Sequence, residues 1–178
     1  MSHPRFSKDA RGTLPEALSA DTRNFLAANQ PLFQFLENVI RIHYPPLYKL
    51  LDQLRASLQK EEMDFLGGIF PGFALNFDVK TFAHKDVGDK AECITLLISF
   101  GDFEGGSLYL KESKIEIPFS RGSILIFRAA MLTHFNADYT GHRNSIVFFL
   151  DKGLTSWFDR RQGPRPKFED LDWSALGL

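Results

Sequence analysis

The hydrophobic pattern of this chain changes period once, at Gly67-Gly68, and that switch divides it into a helical part and a strand-rich part. Upstream, Leu47, Leu50, Leu51, Leu54 and Leu58 recur at the spacing that builds one apolar helical stripe. Pro45-Pro46 separates this helix from another over residues 33–42. A shorter helix is expected over residues 15–28, with Thr13 or Ser19 as cap candidates. Downstream, apolar runs of strand length are separated by short turns: residues 73–83, 91–100, 107–111, 123–128 and 143–150, with Ile115, Ile117 and Phe119 alternating against Lys114 and Glu116. About eight short strands without intervening helices imply a sandwich or jelly roll with helices at its N-terminal side.

At 178 residues, 44% of them hydrophobic, the chain is long enough for one substantial core and too short for two full domains. Eighteen Phe against four Tyr and two Trp predict an aromatic interior. A formal charge of −1 argues against a globally basic nucleic-acid binder. The single Cys93, inside an apolar run, excludes an internal disulfide framework or a Cys-rich zinc module and reads as a small buried hydrophobe. No run reaches membrane-spanning length and the first residues lack a signal-peptide core, so an intracellular protein of cytosol or nucleus is expected.

Within the strand-rich part, His84-Lys85-Asp86 is followed fifty positions later by His134 and nine further on by Arg143. A lone His-x-Asp is a weak signal, and its conjunction with a downstream His and an Arg-x-Ser pair is what gives it weight. The three groups, His84-Lys85-Asp86, His134 and Arg143-Asn144-Ser145, are expected on different strands, meeting only after folding. Two neutral imidazoles and one carboxylate would cover one face of a metal, an arrangement suited to non-haem Fe(II) because it leaves adjacent positions for a bidentate co-substrate and dioxygen. Among the other histidines, His142 adjoins Arg143 and should face the opposite side of its strand, so His134 is the preferred distal ligand. His43 sits at a helix break and His3 near the terminus, and both read as structural.

Arg143 and Ser145 are two apart on an apolar strand, so they face the same side while Asn144 faces away. A guanidinium in an apolar interior needs an anion. The planar fork suits the far carboxylate of 2-oxoglutarate, with Ser145 adding a donor. The competing reading pairs Arg143 with an internal Asp or Glu.

Leu75-Asn76, His84-Lys85-Asp86, Cys93-Ile94-Thr95-Leu96, the stretch from Gly101 to Leu108, Arg121-Gly122-Ser123, His134 and Gly141-His142-Arg143-Asn144-Ser145 together resemble the oxygenase domain of fungal TET/JBP-like proteins over residues 70–157. The resemblance implies a double-stranded β-helix, placed at 67–157; the hydrophobic pattern leaves 1–66 as a helical segment packing on it and 158–178 as a C-terminal tail. It implies iron ligated by His84, Asp86 and His134, 2-oxoglutarate held by Arg143 and Ser145, and dioxygen as second co-substrate. Asn76 matches an Asn upstream of the metal motif in such proteins, at a shorter interval, and is placed with the co-substrate residues.

The implied reaction is hydroxylation of an organic substrate coupled to conversion of 2-oxoglutarate to succinate and carbon dioxide, with a methyl group on a nucleobase (5-methylcytosine or thymine) as the candidate target. The Cys-rich zinc segment that flanks animal TET domains is absent from this sequence, as is a large basic domain. The best local phosphate-binding candidate is the run from Asp159 to Lys167, with Arg160, Arg161, Arg165 and Lys167 against Asp159; such a run also reads as a solvated tail. Phe82, Lys85 and Asp89 are candidates for the substrate mouth and equally for ordinary rim residues. Two alternatives stand beside the nucleobase reading: an oxygenase acting on a protein side chain or small metabolite, and a non-catalytic jelly-roll binding module.

Overall fold

A computed structural model describes residues 18–63 and 65–162. The described chain forms two compact units, one spanning Gly72–Thr155 and the other made of the segments before Gly72 and from Ser156 onward.

The helical unit follows the leucine pattern. α1 (Ala20–Ala28) starts at Ser19, whose Oγ accepts from the Thr22 backbone N–H, satisfying one of the donors a helix start leaves open. α2 (Gln30–His43) has Pro31 in its first turn, where a missing N–H costs nothing, and buries Phe33, Leu36 and Ile40. α3 (Pro45–Gln59) likewise opens on its prolines and buries Leu47, Leu51, Leu54 and Leu58. Arg55 ties the two helices by bonding Glu37 at 3.1 Å while also pairing Asp52 at 2.7 Å. α4 (Lys152–Gln162) is a helix where a tail was expected from residue 158, because Trp157 and Phe158 are buried and Arg161 pairs with Glu61. Arg165 and Lys167 of the basic run, His3 and the Thr13 cap candidate lie outside the described residues. No helix among the described residues is long and apolar enough to cross a membrane.

The β unit is antiparallel throughout. Its strands are β1 (Gly72–Phe77), β2 (Thr95–Gly105), β3 (Leu108–Leu110), β4 (Ile115–Ile117), β5 (Ile124–Phe127), β6 (His134–Asn136) and β7 (Tyr139–Phe149). They form a four-stranded sheet in the order β1-β7-β2-β5 and a three-stranded sheet in the order β4-β3-β6. Seven strands are therefore seen among the described residues against the eight or so expected. Leu97, Leu108, Leu110 and Phe119 are buried together, with Leu125, Phe127 and Val147 packed on them, so side chains of both sheets meet in one sandwich core. Truncating one of these leucines to Ala should cost about 2–5 kcal/mol.

Two strand boundaries differ from expectation in ways that bear on function. β1 stops at Phe77 instead of running to residue 83, because Asp78 takes a left-handed conformation with φ 53°. The chain then leaves the sheet and reaches His84 through a loop. β2 runs on to Gly105, pairing β7 from Leu96↔Phe148 to Gly105↔Tyr139. The extension depends on Gly101 and Gly141, where an added Cβ would stand 2.2 Å from a carbonyl oxygen of the opposite strand. It carries Arg143 along the same long ladder, opposite Gly101.

Candidate active site

His84 and His134 are brought together by backbone pairing. His84 belongs to no named strand, yet its N–H donates to the His134 carbonyl at 3.1 Å and the His134 N–H donates back at 2.9 Å. This reciprocal bridge places the two imidazoles side by side, with ring centroids 4.4 Å apart. The expectation of a strand carrying His84-Lys85-Asp86 is thus corrected, while His134 and Arg143 do lie on separate strands. His84 sits on a loop segment registered against β6, since the turn at Asp78 has already ended β1.

Each imidazole is oriented by the same local device. His84 Nδ1 lies 2.8 Å from the Phe82 carbonyl, and His134 Nδ1 lies 2.9 Å from the Leu132 carbonyl. A carbonyl only accepts, so in each neutral ring the proton sits on Nδ1 and Nε2 presents a lone pair. Both Nε2 atoms face Asp86, at 3.4 Å for His84 and 4.0 Å for His134. Burial pushes the pKa of His134 down, which favours its neutral form. Two lone pairs and a carboxylate converging with no proton between them call for a cation. The ligand atoms of the three residues lie within 4.8 Å of one another, so this group could hold a metal ion.

Glu112 braces the two ligand-bearing segments, and nothing in the sequence reading singled it out. Its carboxylate accepts from the Thr133 backbone N–H at 2.9 Å and from the Thr133 hydroxyl at 2.6 Å, immediately before His134. It also pairs with Lys85, between His84 and Asp86, at 3.4 Å. The Thr133 hydroxyl bond above all holds its pKa down at about 2. The only sequence signal was an acidic residue just past β3, which is common at a turn.

Arg143 and Ser145 both point inward, at 3% and 5% exposure. Among the described residues the Arg143 guanidinium has no carboxylate partner, and its Nε and Nη2 are buried without a hydrogen-bond acceptor. This disfavours the reading that pairs it inside the fold. Asn76, opposite Ser145 in the β1–β7 ladder, donates weakly to the Ser145 hydroxyl at 3.4 Å. His142 faces outward as its strand position required, and its Nδ1 bonds Asp78 at 2.9 Å. Asp78 also accepts from the Arg143 backbone N–H at 2.9 Å, so one carboxylate ties the β1 exit to β7.

His84, Asp86, His134, Asn76, Arg143 and Ser145 all line one cavity of about 400 Å³. Its size lies in the range that encloses small-molecule ligands. Asp89 and Thr95 lie on the same wall and are hydrogen-bonded at 3.3 Å. Burial first, and the nearby Asp86 second, raise the Asp89 pKa to about 6. Of the other mouth candidates, Phe82 is 94% exposed beside the cavity-lining Thr81 and His84. Lys85 is held by Glu112.

An antiparallel jelly-roll core with helices on its N-terminal side, carrying a two-His, one-carboxylate group and an unpaired arginine in one cavity, defines the class of Fe(II)- and 2-oxoglutarate-dependent oxygenases. The chain belongs to the Tet_JBP family, the oxygenase domain of the 2OGFeDO superfamily, whose pattern matches residues 2–152. Fe(II), 2-oxoglutarate and dioxygen come with that membership. The match begins far upstream of the residues 70–157 on which the resemblance rested.

Among curated relatives, the bifunctional helicase and thymine dioxygenase JBP2 of Leishmania tarentolae is 29% identical over 141 residues, covering 74% of this chain and 12% of that protein. The JBP2 of Leishmania braziliensis is 29% identical over 142 residues, covering 74% of this chain and 13% of that protein. The chain therefore spans only a small part of these relatives. A solved structure of NgTET1 in complex with 5mC DNA aligns over 94% of this chain and 64% of its own, at 22% identity and a TM-score of 0.47.

Proposed function

We propose that His84, Asp86 and His134 hold Fe(II), that Arg143 with Ser145 and Asn76 holds 2-oxoglutarate, and that the enzyme oxidises the methyl group of a pyrimidine base in nucleic acid. The observation that carries this reading is a single cavity in which three metal-ligand atoms lie within 4.8 Å of one another and a buried guanidinium has two donors free. When bound, the iron would supply the oxidative decarboxylation of 2-oxoglutarate that is coupled to hydroxylation of a C–H bond.

The chain's own residues supply placement. The Phe82 and Leu132 carbonyls fix which imidazole nitrogen faces the metal. Arg143 offers the paired, charge-assisted hydrogen bonds that suit the distal carboxylate, which orients the co-substrate before any chemistry. Asp89 and Thr95, on the wall beside Asp86, give the cavity hydrogen-bonding groups for the polar edge of a base. Exposed Phe82 supplies an aromatic surface at the mouth. The substrate class draws its support from family membership and from the thymine dioxygenase activity named for the JBP2 relatives.

Succinate formation with Fe(II) and 2-oxoglutarate across DNA containing 5-methylcytosine, DNA containing only thymine, RNA, peptides and free bases is the deciding experiment. Stimulation by one of the DNA substrates, with an oxidised base in the product, is the expected result. Absence of stimulation by any nucleic acid at low salt would end the nucleobase reading and leave a protein side chain or small metabolite as substrate.

A further inference from the structure

Arg143 poses a physical problem that the proposed co-substrate role does not answer. A buried guanidinium without a carboxylate should either find a partner or swing toward water. Three aromatic rings surround it instead: its Cζ lies 5.7 Å from the centroid of Phe103, 5.5 Å from that of Phe119 and 5.9 Å from that of Tyr139. Two of the rings brace each other, Phe103 and Tyr139 meeting edge to face at 6.5 Å. Gly106 closes a further side, and a Cβ there would stand 2.8 Å from Arg143 Cδ and Nε. The stem of the arginine is therefore confined by backbone and its head by rings.

We propose that Phe103, Phe119 and Tyr139 are positioning residues for the co-substrate, a cradle of ring faces that fixes the Arg143 guanidinium without pairing its donors, so that an incoming carboxylate displaces no partner. A ring attracts a cation through its quadrupole and does so more strongly where water is excluded. A carboxylate partner would hold Arg143 as firmly, but it would occupy the donors that 2-oxoglutarate needs. The cradle is supplied from distinct places: Phe103 from β2, Tyr139 from the start of β7, and Phe119 from the segment following β4. Phe119 is a core residue, whereas Phe103 and Tyr139 are only part-buried, so those two can be changed without hollowing the sandwich.

The inference rests on Arg143 being the carboxylate anchor, and its test separates the two claims. Anaerobic titration calorimetry would compare 2-oxoglutarate with pyruvate, which lacks the distal carboxylate, on Mn(II)-loaded wild type, Arg143→Ala, Phe103→Leu with Tyr139→Leu, and Tyr139→Phe. The double variant should bind 2-oxoglutarate about tenfold more weakly, the equivalent of losing two such contacts. Its Mn(II) and pyruvate affinities should be unchanged, and Tyr139→Phe, which keeps the ring, should match wild type. Uncoupled succinate formation should show the same split, with KM for 2-oxoglutarate raised and kcat little altered.

Wild-type affinity in the double variant, alongside loss of binding in Arg143→Ala, would overturn the cradle alone. Unchanged affinity in Arg143→Ala would overturn the anchor and the cradle together. A parallel loss of Mn(II) affinity in the double variant would reduce the rings to a structural role.

Discussion

If Arg143 is held ready for a ligand that the free protein lacks, then replacing it with Met should make the free protein more stable. Two guanidinium nitrogens, Nε and Nη2, are buried without acceptors. Each should cost about 1–3 kcal/mol, and three cation–π contacts near the long end of their range return about 0.5–1 kcal/mol apiece. The balance is a net cost of about 1–2 kcal/mol, which Met removes while its flexible thioether keeps touching the same rings. For a chain of this length that is a rise in melting temperature of about 2–8 °C. The assay is thermal unfolding of the Mn(II)-loaded protein with and without 2-oxoglutarate. Ligand at a hundred times its dissociation constant should stabilise wild type by about 2.7 kcal/mol and leave Arg143→Met unmoved, so the order of stability reverses on adding co-substrate. An Arg143→Met variant that melts below wild type without ligand would show that the arginine is a structural element, and the reasoning would fail.

The metal group gives a sharper contrast: His84→Ala, Asp86→Ala and His134→Ala should each weaken Fe(II) or Mn(II) binding by more than about 100-fold, whereas His142→Ala should leave it intact, and calorimetric retention of affinity in His134→Ala would move the ligand role elsewhere. Glu112→Gln should weaken metal binding by up to about tenfold, because Thr133 and Lys85 lose a charged brace beside both histidines. With its carboxyl pKa held at about 2, the brace is charged throughout the working range, so the ratio of wild-type to variant affinity should stay flat from neutral pH down to mild acid. The His142–Asp78 pair should behave differently, since the Asp78 bond raises the pKa of His142 and the His142 bond lowers that of Asp78. Its contribution to stability is present once His142 is protonated and is lost as pH rises through the raised His142 value; a His142→Gln variant should therefore be less stable than wild type below that value and equal to it above, and a difference that persisted in alkali would refute the ion pair.

What could be read from the sequence, and what could not, follows from how specific each residue type is to its task. The two helices before Gly67 that carry the apolar stripes were legible because leucines at helical spacing and prolines at first-turn positions each allow few other structures, whereas α4 carries no such stripe. The inward placement of Arg143 and Ser145 was legible because a strand has a period of two. The loop that carries His84 was not, since it depends on a single left-handed residue, Asp78, and on pairing with β6 across fifty positions, and long-range register leaves little local trace.

The ring cradle was hidden for a different reason. A histidine or a buried arginine is costly unless it has a partner, so its presence announces a site. A phenylalanine is favourable in any core, and among eighteen of them Phe103 and Phe119 carry no mark of a second task. The same chemistry that makes aromatic rings good neighbours for a cation makes them ordinary in a sandwich. Their role near Arg143 becomes visible only when the guanidinium is found buried, unpaired and 5.5–5.9 Å from their centroids. In an oxygenase core of this size, residues that determine co-substrate affinity should therefore be sought among the rings around the anchor as well as among the polar groups that touch the ligand.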